Sequence, residues 1–410
     1  MKQQNVHTRS ARARRLEVLR SGRFVGGIVV ALLFMGSSLL TPLYELYSSI
    51  YRLDALGLTL IYAVYVIGNL TALLFFGRLS DQLGRRPIIL IGLALAALSN
   101  VLFLVAGTSG WLFAGRIVSG CAVGIGSGAA TAWIAESTPK ERRPLAASTM
   151  TAFNFAGLTL GPIVAGTLVQ YAPWPLRLPF LAYLGLIAIV ALLVFAARET
   201  LDRASTDRLS LRPRLGVPAG ARLGFAAPAA AGFVAMATVG YYAALGPTMI
   251  HQTINVTNRA LSGAIVAELF AIAAIVILLT RRLEPRRALL AGLIVAPFGL
   301  ATLAAVQAWP SLPLMLVGTM LSGIAAALSY RGGLGVVNAL APPDRRAELA
   351  SAYFICCFLG NALPIVGVGA LSERLGPAAA DRILAIGLSI LATGALGAAL
   401  LFKGSDRAGA

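Results

Sequence analysis

Apolar stretches of about 20 residues recur along the whole of this 410-residue chain, and charged residues gather in the short gaps between them. Each stretch is long enough to cross a hydrocarbon core of roughly 30 Å as a helix. Bounding the stretches by charge or by Pro/Gly turns predicts twelve spans, near 24–50, 57–77, 88–107, 111–135, 146–170, 177–197, 223–246, 259–280, 288–307, 312–339, 349–371 and 381–402. The expected fold is an all-α polytopic membrane protein.

Composition agrees with lipid as the solvent. The chain is 58% hydrophobic and 12% charged, with mean hydropathy +0.81; a soluble domain carries about twice that charged fraction. A net charge of +18 would suit nucleic acid, but the positions of the basic residues argue against such a partner. With the N-terminus inside, 27 of the 34 Lys and Arg fall in cytoplasmic segments. Five (Arg52, Arg177, Arg259, Arg374 and Arg382) fall outside, and two (Arg116 and Arg331) lie within spans. That asymmetry is the positive-inside rule, and it places both termini in the cytoplasm of a cell (inner) membrane protein. Trp111, Trp174 and Trp309 mark predicted outer boundaries, as an interfacial aromatic belt would. The basic head runs into the first span without a small-residue cleavage site, which reads as a cytoplasmic arm. Cys121, Cys356 and Cys357 lie in apolar segments without metal-ligand spacing and read as core packing.

The chain also repeats itself. "PKERRPLAAS" (139–148) aligns with "PPDRRAELAS" (342–351) at a spacing of 203, "SG" at 119–120 recurs at 322–323, and "GLTLGPIVAG" (157–166) is answered by "GNALPIVGVG" (360–369). The expected organisation is an arm (1–23), a six-helix half (24–197), a cytoplasmic linker (198–222), a second half (223–402) and a tail (403–410). Paired halves with a site at their interface are a transporter architecture.

The segment "GRLSDQLGRRP" (77–87) then becomes specific. Gly77, Leu79, Ser80, Asp81, Gly84, Arg85 and Arg86 match Gly-x-Leu-small-Asp-x-x-Gly-Arg-Arg/Lys between the second and third spans. In this the chain resembles the major facilitator superfamily over essentially its whole length. The resemblance implies two pseudo-symmetric six-helix bundles working as a monomer, and a latch in which Asp81 and Arg85 help hold the halves together on the cytoplasmic side, with Glu136 a further partner. "GLTLGPIVAG" supplies Gly157, Gly161, Pro162 and Gly166, similar to the antiporter signature Gly-x-x-x-Gly-Pro-x-x-Gly-Gly, with Ala165 in place of one glycine. Spaced glycines there would allow close packing against the other half, while Pro162 removes a backbone donor and bends the helix.

Ionisable residues inside a bilayer cost about 2.5 to 3.5 kcal/mol on insertion scales, so those that remain usually face a cavity. Four qualify: Glu45, Arg116, Glu268 and Arg331. Rise alone puts Glu45 and Arg116 at similar depth, where they could pair, and Glu268 near the midplane, where a carboxyl can load and release a proton. Arg116 followed by Gly120, Gly124 and Gly128 resembles the fourth helix of the drug:proton antiporter branch. Arg331 could neutralise Glu268 or hold an anionic substrate. Tyr65, Asn69, Asn154, Tyr241, Tyr242 and Asn361 are candidate pocket residues, where aromatic faces and a carboxylate would suit a lipophilic cation.

The expectation is a secondary transporter exchanging protons for small organic molecules or drugs, the alternative being a proton symporter or facilitator that imports a metabolite. An enzyme is not expected, since no catalytic constellation, Walker loop or metal cluster appears, and no cofactor is called for.

Overall fold

The computed structural model describes residues 22–76, 79–139, 143–197, 199, 216–342 and 345–401. Residues 1–21, Gly77, most of the 198–222 linker and residues 402–410 lie outside the described residues, so the arm, the tail and that part of the loop motif are not discussed structurally. Among the described residues, twelve helices are long and apolar enough to cross a membrane. They are Gly22–Tyr51, Ala55–Phe76, Arg85–Leu104, Ser109–Glu136, Met150–Tyr171, Leu178–Ala196, Arg222–Ala244, Arg259–Leu279, Pro285–Ala308, Leu312–Leu340, Glu348–Leu375 and Pro377–Leu401, referred to below as spans one to twelve.

The repeat is visible in the backbone. Span one breaks after Ser38, passes through a 3-10 turn at Thr41–Leu43 that contains Pro42, and resumes as Tyr44–Tyr51. Span seven ends at Ala244 and resumes as Gly246–Ile254 with Pro247 in its first turn. A proline early in a helix is tolerated because its missing N–H would be unpaired there anyway, so each break restarts cleanly. The two restarted helices end on Arg52 and Asn255, both left-handed and again 203 positions apart. Spans two and eight then begin on side-chain caps: Asp54 accepts from the N–H of Gly57 at 2.6 Å and Asn258 from that of Leu261 at 3.0 Å.

Within each half the helices pack in corresponding pairs: three on four and one on five in the first, nine on ten and seven on eleven in the second. Between the halves, span five lies along span eight and span two along span eleven. Gly263 makes the first of these contacts possible, since a Cβ there would run into the backbone carbonyl of Pro162.

Consecutive spans alternate in direction, so one end of the bundle carries Trp111, Trp174 and Trp309, all exposed, and the other carries the Arg85–Arg86 loop. Inter-half hydrogen bonds among the described residues gather toward the tryptophan end. The Arg259 N–H donates to Gln170 at 2.8 Å, Asn258 to the Tyr171 hydroxyl at 3.0 Å, and the Leu56 N–H to Glu373 at 3.3 Å. Deepest is the Tyr62 hydroxyl, donating to the Asn361 side-chain oxygen at 3.0 Å. These bonds seal that end.

Candidate functional site

Below the seal, between the halves, lies a cavity of about 120 Å³. Spans one, two, four and five line it from one half and spans seven, eight, ten and eleven from the other, and it reaches as far toward the arginine end as Tyr330 and Phe354. Its wall is mostly aromatic and aliphatic, with Ser37, Ser38, Asn154 and Asn361 as polar points. Among the described lining residues, Arg116 carries the only formal charge.

Arg116 reaches the cavity because span four presses onto span two. Gly120 sits against the Tyr65 carbonyl and the Asn69 N–H, and Gly124 against Ala72, so the helices approach at backbone distance. Gly128, at the same spacing, meets no neighbour within 4 Å. The close approach stacks the guanidinium over the rings of Tyr65 (5.2 Å), Tyr62 (5.3 Å) and Tyr44 (5.8 Å). Such faces attract a cation, more so when water is excluded. One N–H donates to the Ser37 carbonyl at 2.7 Å, the Nε is buried without a hydrogen-bond partner, and the residue is 1% exposed.

The expected Glu45–Arg116 pair does not form. The depth estimate assumed one straight helix, whereas the Pro42 break sets Glu45 on the restarted segment. There its carboxylate faces His251 of the other half at 3.6 Å. Arg331 is also displaced from its expected role. It donates to the carbonyls of Arg281 (3.0 Å) and Leu283 (2.8 Å), capping the loop after span eight. The partner of Glu268 is Thr319, which donates to it from the same helix, twelve positions away from Arg331. At 1.5 Å per residue that separates them by about 18 Å, too far for neutralisation.

Glu268 is half-buried and faces span ten inside its own half rather than the cavity. Tyr241 and Tyr242 likewise miss the cavity; they are fully buried and meet edge to face at 5.8 Å. Beside them lies a residue that the span reading passed over, Asp381, 4% exposed near the start of span twelve. Gln307 donates to its carboxylate, the Thr253 hydroxyl donates to Gln307 at 3.2 Å, and the Tyr241 hydroxyl adjoins it. No cation pairs with Asp381 or Glu268 among the described residues. Its place at a predicted span boundary, next to Arg382, disguised Asp381 as a surface residue. Of the pocket candidates, Tyr65, Asn154 and Asn361 line the cavity, while Asn69 stands behind it, donating to the Tyr65 hydroxyl at 3.1 Å.

At the arginine end, Arg85 forms ion pairs with Asp81 and, at 2.5 Å, with Glu136. Glu199 accepts from the N–H groups of Arg85 (3.2 Å) and Arg86 (2.9 Å), a carboxylate on the exposed donors of a helix N-terminus. Gly84 holds φ at +100°, which a side chain would strain. Arg86 stacks on Phe195 at 5.6 Å. Asp81, Glu136 and Phe195 belong to the first half and Glu199 to the start of the linker, so in this conformation these contacts brace the first half and none of them reaches the second.

Pro162 explains one further contact. It cannot donate to the Leu158 carbonyl one turn earlier, and the Ser38 hydroxyl, 3.2 Å away, bonds that oxygen instead. Gly157 and Gly161, expected against the other half, pack on span one; Gly166 reaches across, onto the backbone of Arg259.

A family model described as Major Facilitator Superfamily matches residues 26–364. Quinolone resistance protein NorA of Staphylococcus aureus is 28% identical over 165 residues, 40% of this chain and 42% of NorA. Multidrug resistance protein MdtL of Escherichia coli is 29% identical over 153 residues, 37% and 38% of the two chains. These matches therefore span less than half the length of either relative. Among solved structures, a bacterial homologue of the human lysosomal transporter Spinster, inward-facing and unoccupied, superposes with TM-score 0.74 at 16% identity over 94% of this chain and 98% of its own. The human organic anion transporter MFSD10 superposes with TM-score 0.65 at 18% identity, covering 92% and 99%. At such identities the likeness is one of fold.

Proposed function

The chain belongs to the major facilitator superfamily, a family of multi-pass membrane transporters, and on that premise we propose that it exports small organic molecules in exchange for protons by alternating access. The observation that carries the reading is the cavity between two halves that are hydrogen-bonded at one end. A carrier needs such a chamber open to one side at a time, and two rigid bundles rocking about it supply the alternation.

In this reading the tryptophan end faces outward, both termini are cytoplasmic in the cell membrane, and the structure stands in its inward-facing state. The Asp81–Arg85–Glu136 brace would engage the second half only after rocking closes the arginine end. Each chain contains a complete cavity, which supports a monomeric unit. Glu268 is the proposed proton carrier: a membrane carboxyl held by a neutral hydroxyl, without a cation, exchanges protons without having to break an ion pair. Asp381, linked through Tyr241 and Tyr242 toward Glu268, is proposed as its outer-side companion. The relatives NorA and MdtL, named for quinolone and multidrug resistance, support drugs as substrates.

The test is transport into and out of proteoliposomes under an imposed pH gradient, with a panel that includes a fluoroquinolone and ethidium. Flux is expected to follow the proton gradient in wild type and to lose that dependence in Glu268→Gln. Flux that ignores the gradient in both proteins would overturn coupled antiport.

A further inference from the structure

The cavity has an asymmetry that the proton cycle leaves unused. Its one charged lining residue among those described is a cation, Arg116, and no carboxylate pairs with it. A guanidinium carries five N–H donors in a planar fork. One of them is spent on the Ser37 carbonyl, and the buried Nε has no acceptor. Burying a polar group without a partner is costly, and a buried charge is stable only when it is paired and hydrogen-bonded. The stacked rings of Tyr44, Tyr62 and Tyr65 spread the charge, and the Tyr44 hydroxyl lies beside it, but none of the three brings a negative charge. Nearby, the Tyr65 hydroxyl accepts from Asn69 and lies against the Ser37 side chain. The rest of the lining, Phe155, Phe270 and Phe354 among it, suits an aromatic or aliphatic body.

We propose that this cavity takes organic anions, with a substrate carboxylate, or an equivalent planar anionic group, seated on Arg116 and the body of the molecule among the phenylalanines. The expectation of a lipophilic cation fails on the same geometry, because Glu268 and Glu45, the acids that would attract one, both lie off the cavity wall. A cation entering the chamber meets Arg116 with no lining carboxylate to offset it. The inference deepens the transporter reading and rests on it.

Three ligands that share one body make the test: naphthalene-2-acetate, its primary amide, and 2-(naphthalen-2-yl)ethylamine. Their equilibrium binding to the purified full-length chain in detergent is measured by dialysis and by thermal shift. The acetate is expected to bind at least about tenfold more tightly than the amide, the size of one charge-assisted hydrogen bond, and the amine most weakly. Arg116→Gln should remove the preference for acetate over amide, while Arg116→Lys should keep part of it through its point charge. If Arg116→Gln does not fold, the wild-type ranking and the lysine variant still decide. An amide or amine that binds as tightly as the acetate, an acetate that does not bind, or a preference that survives in Arg116→Gln each overturns the proposal. Gradient-driven flux of the wider panel separates the two readings: flux with the wrong binding order removes the anion and leaves the carrier, whereas acetate binding without any flux does the reverse.

Discussion

The first half buries its cation against the cavity, and the second buries its carboxylates against its own helices. Both halves follow one repeat, with matched breaks within span one and after span seven and matched left-handed caps at Arg52 and Asn255. Their charged residues do not match. Arg116 looks into the chamber, whereas Glu268 bonds Thr319 and Asp381 bonds Gln307 behind the chamber wall. In the proposed reading a symmetric scaffold thus separates two tasks. An anion site in one half and proton sites in the other can be coupled by rocking without the two charges ever touching.

That division makes Glu268→Gln and Arg116→Gln fail in different ways. The first is expected to abolish proton-driven accumulation in proteoliposomes while leaving equilibrium binding of naphthalene-2-acetate within about twofold, since its hydrogen-bond partner Thr319 stays satisfied by an amide. The second should lose the binding preference. If Glu268→Gln weakens acetate binding as much as Arg116→Gln does, the halves are not separate in function.

Next in size are steric wedges. Gly263→Val drives a side chain into the Pro162 carbonyl across the inter-half seam, and Gly157→Val drives one into the Ala31 backbone inside the first half. Overpacking of this kind costs about 1–3 kcal/mol in either place. The outcomes differ because only the first can be relieved by opening the tryptophan end. With the three native cysteines replaced, a single cysteine at Ser262, buried beside the wedge, should therefore label faster with an aqueous maleimide in Gly263→Val, while Gly157→Val should lower the melting temperature without changing that rate.

Much of this architecture could be read before any coordinates. Apolar run length gives all twelve spans to within a few residues, because a bilayer imposes one length on every crossing helix. The side-chain geometry was legible only where it stays close to a helix-packing rule. Gly120 and Gly124 announced a close helix contact, and the contact is there. Glu45 was misplaced because one proline converts a depth count into a different direction, and Asp381 was missed because a carboxyl at a helix end looks the same in sequence whether it faces water or a neighbouring helix. Run length carries no information about which way a helix is rotated, and rotation decides whether Glu268 sees the cavity or Thr319.

Asp381 tests whether the buried acids of the second half serve more than packing. Asp381→Leu leaves the Gln307 amide without its acceptor, at a cost of about 1–3 kcal/mol, and should lower the melting temperature clearly. Asp381→Asn keeps a carbonyl oxygen for Gln307 and should melt within about 1 kcal/mol of wild type. Retained folding with altered pH dependence of flux in the asparagine variant supports a proton role; an unchanged pH profile would leave Asp381 as a helix tie alone.

The smallest effect belongs to the one charged contact among the described residues that joins the halves at the sealed end, His251 with Glu45 at 3.6 Å, the side chains 38% and 27% exposed. Partly solvated pairs at this separation contribute about 0.2–1 kcal/mol, so removing one partner should change maleimide labelling at the seal by less than about fivefold. Glu45→Gln and His251→Ala, labelled at one fixed pH, should each speed labelling modestly over wild type. Labelling unchanged in both variants would mean that the seal depends on the backbone bonds at Arg259 and Leu56 and takes nothing from this pair.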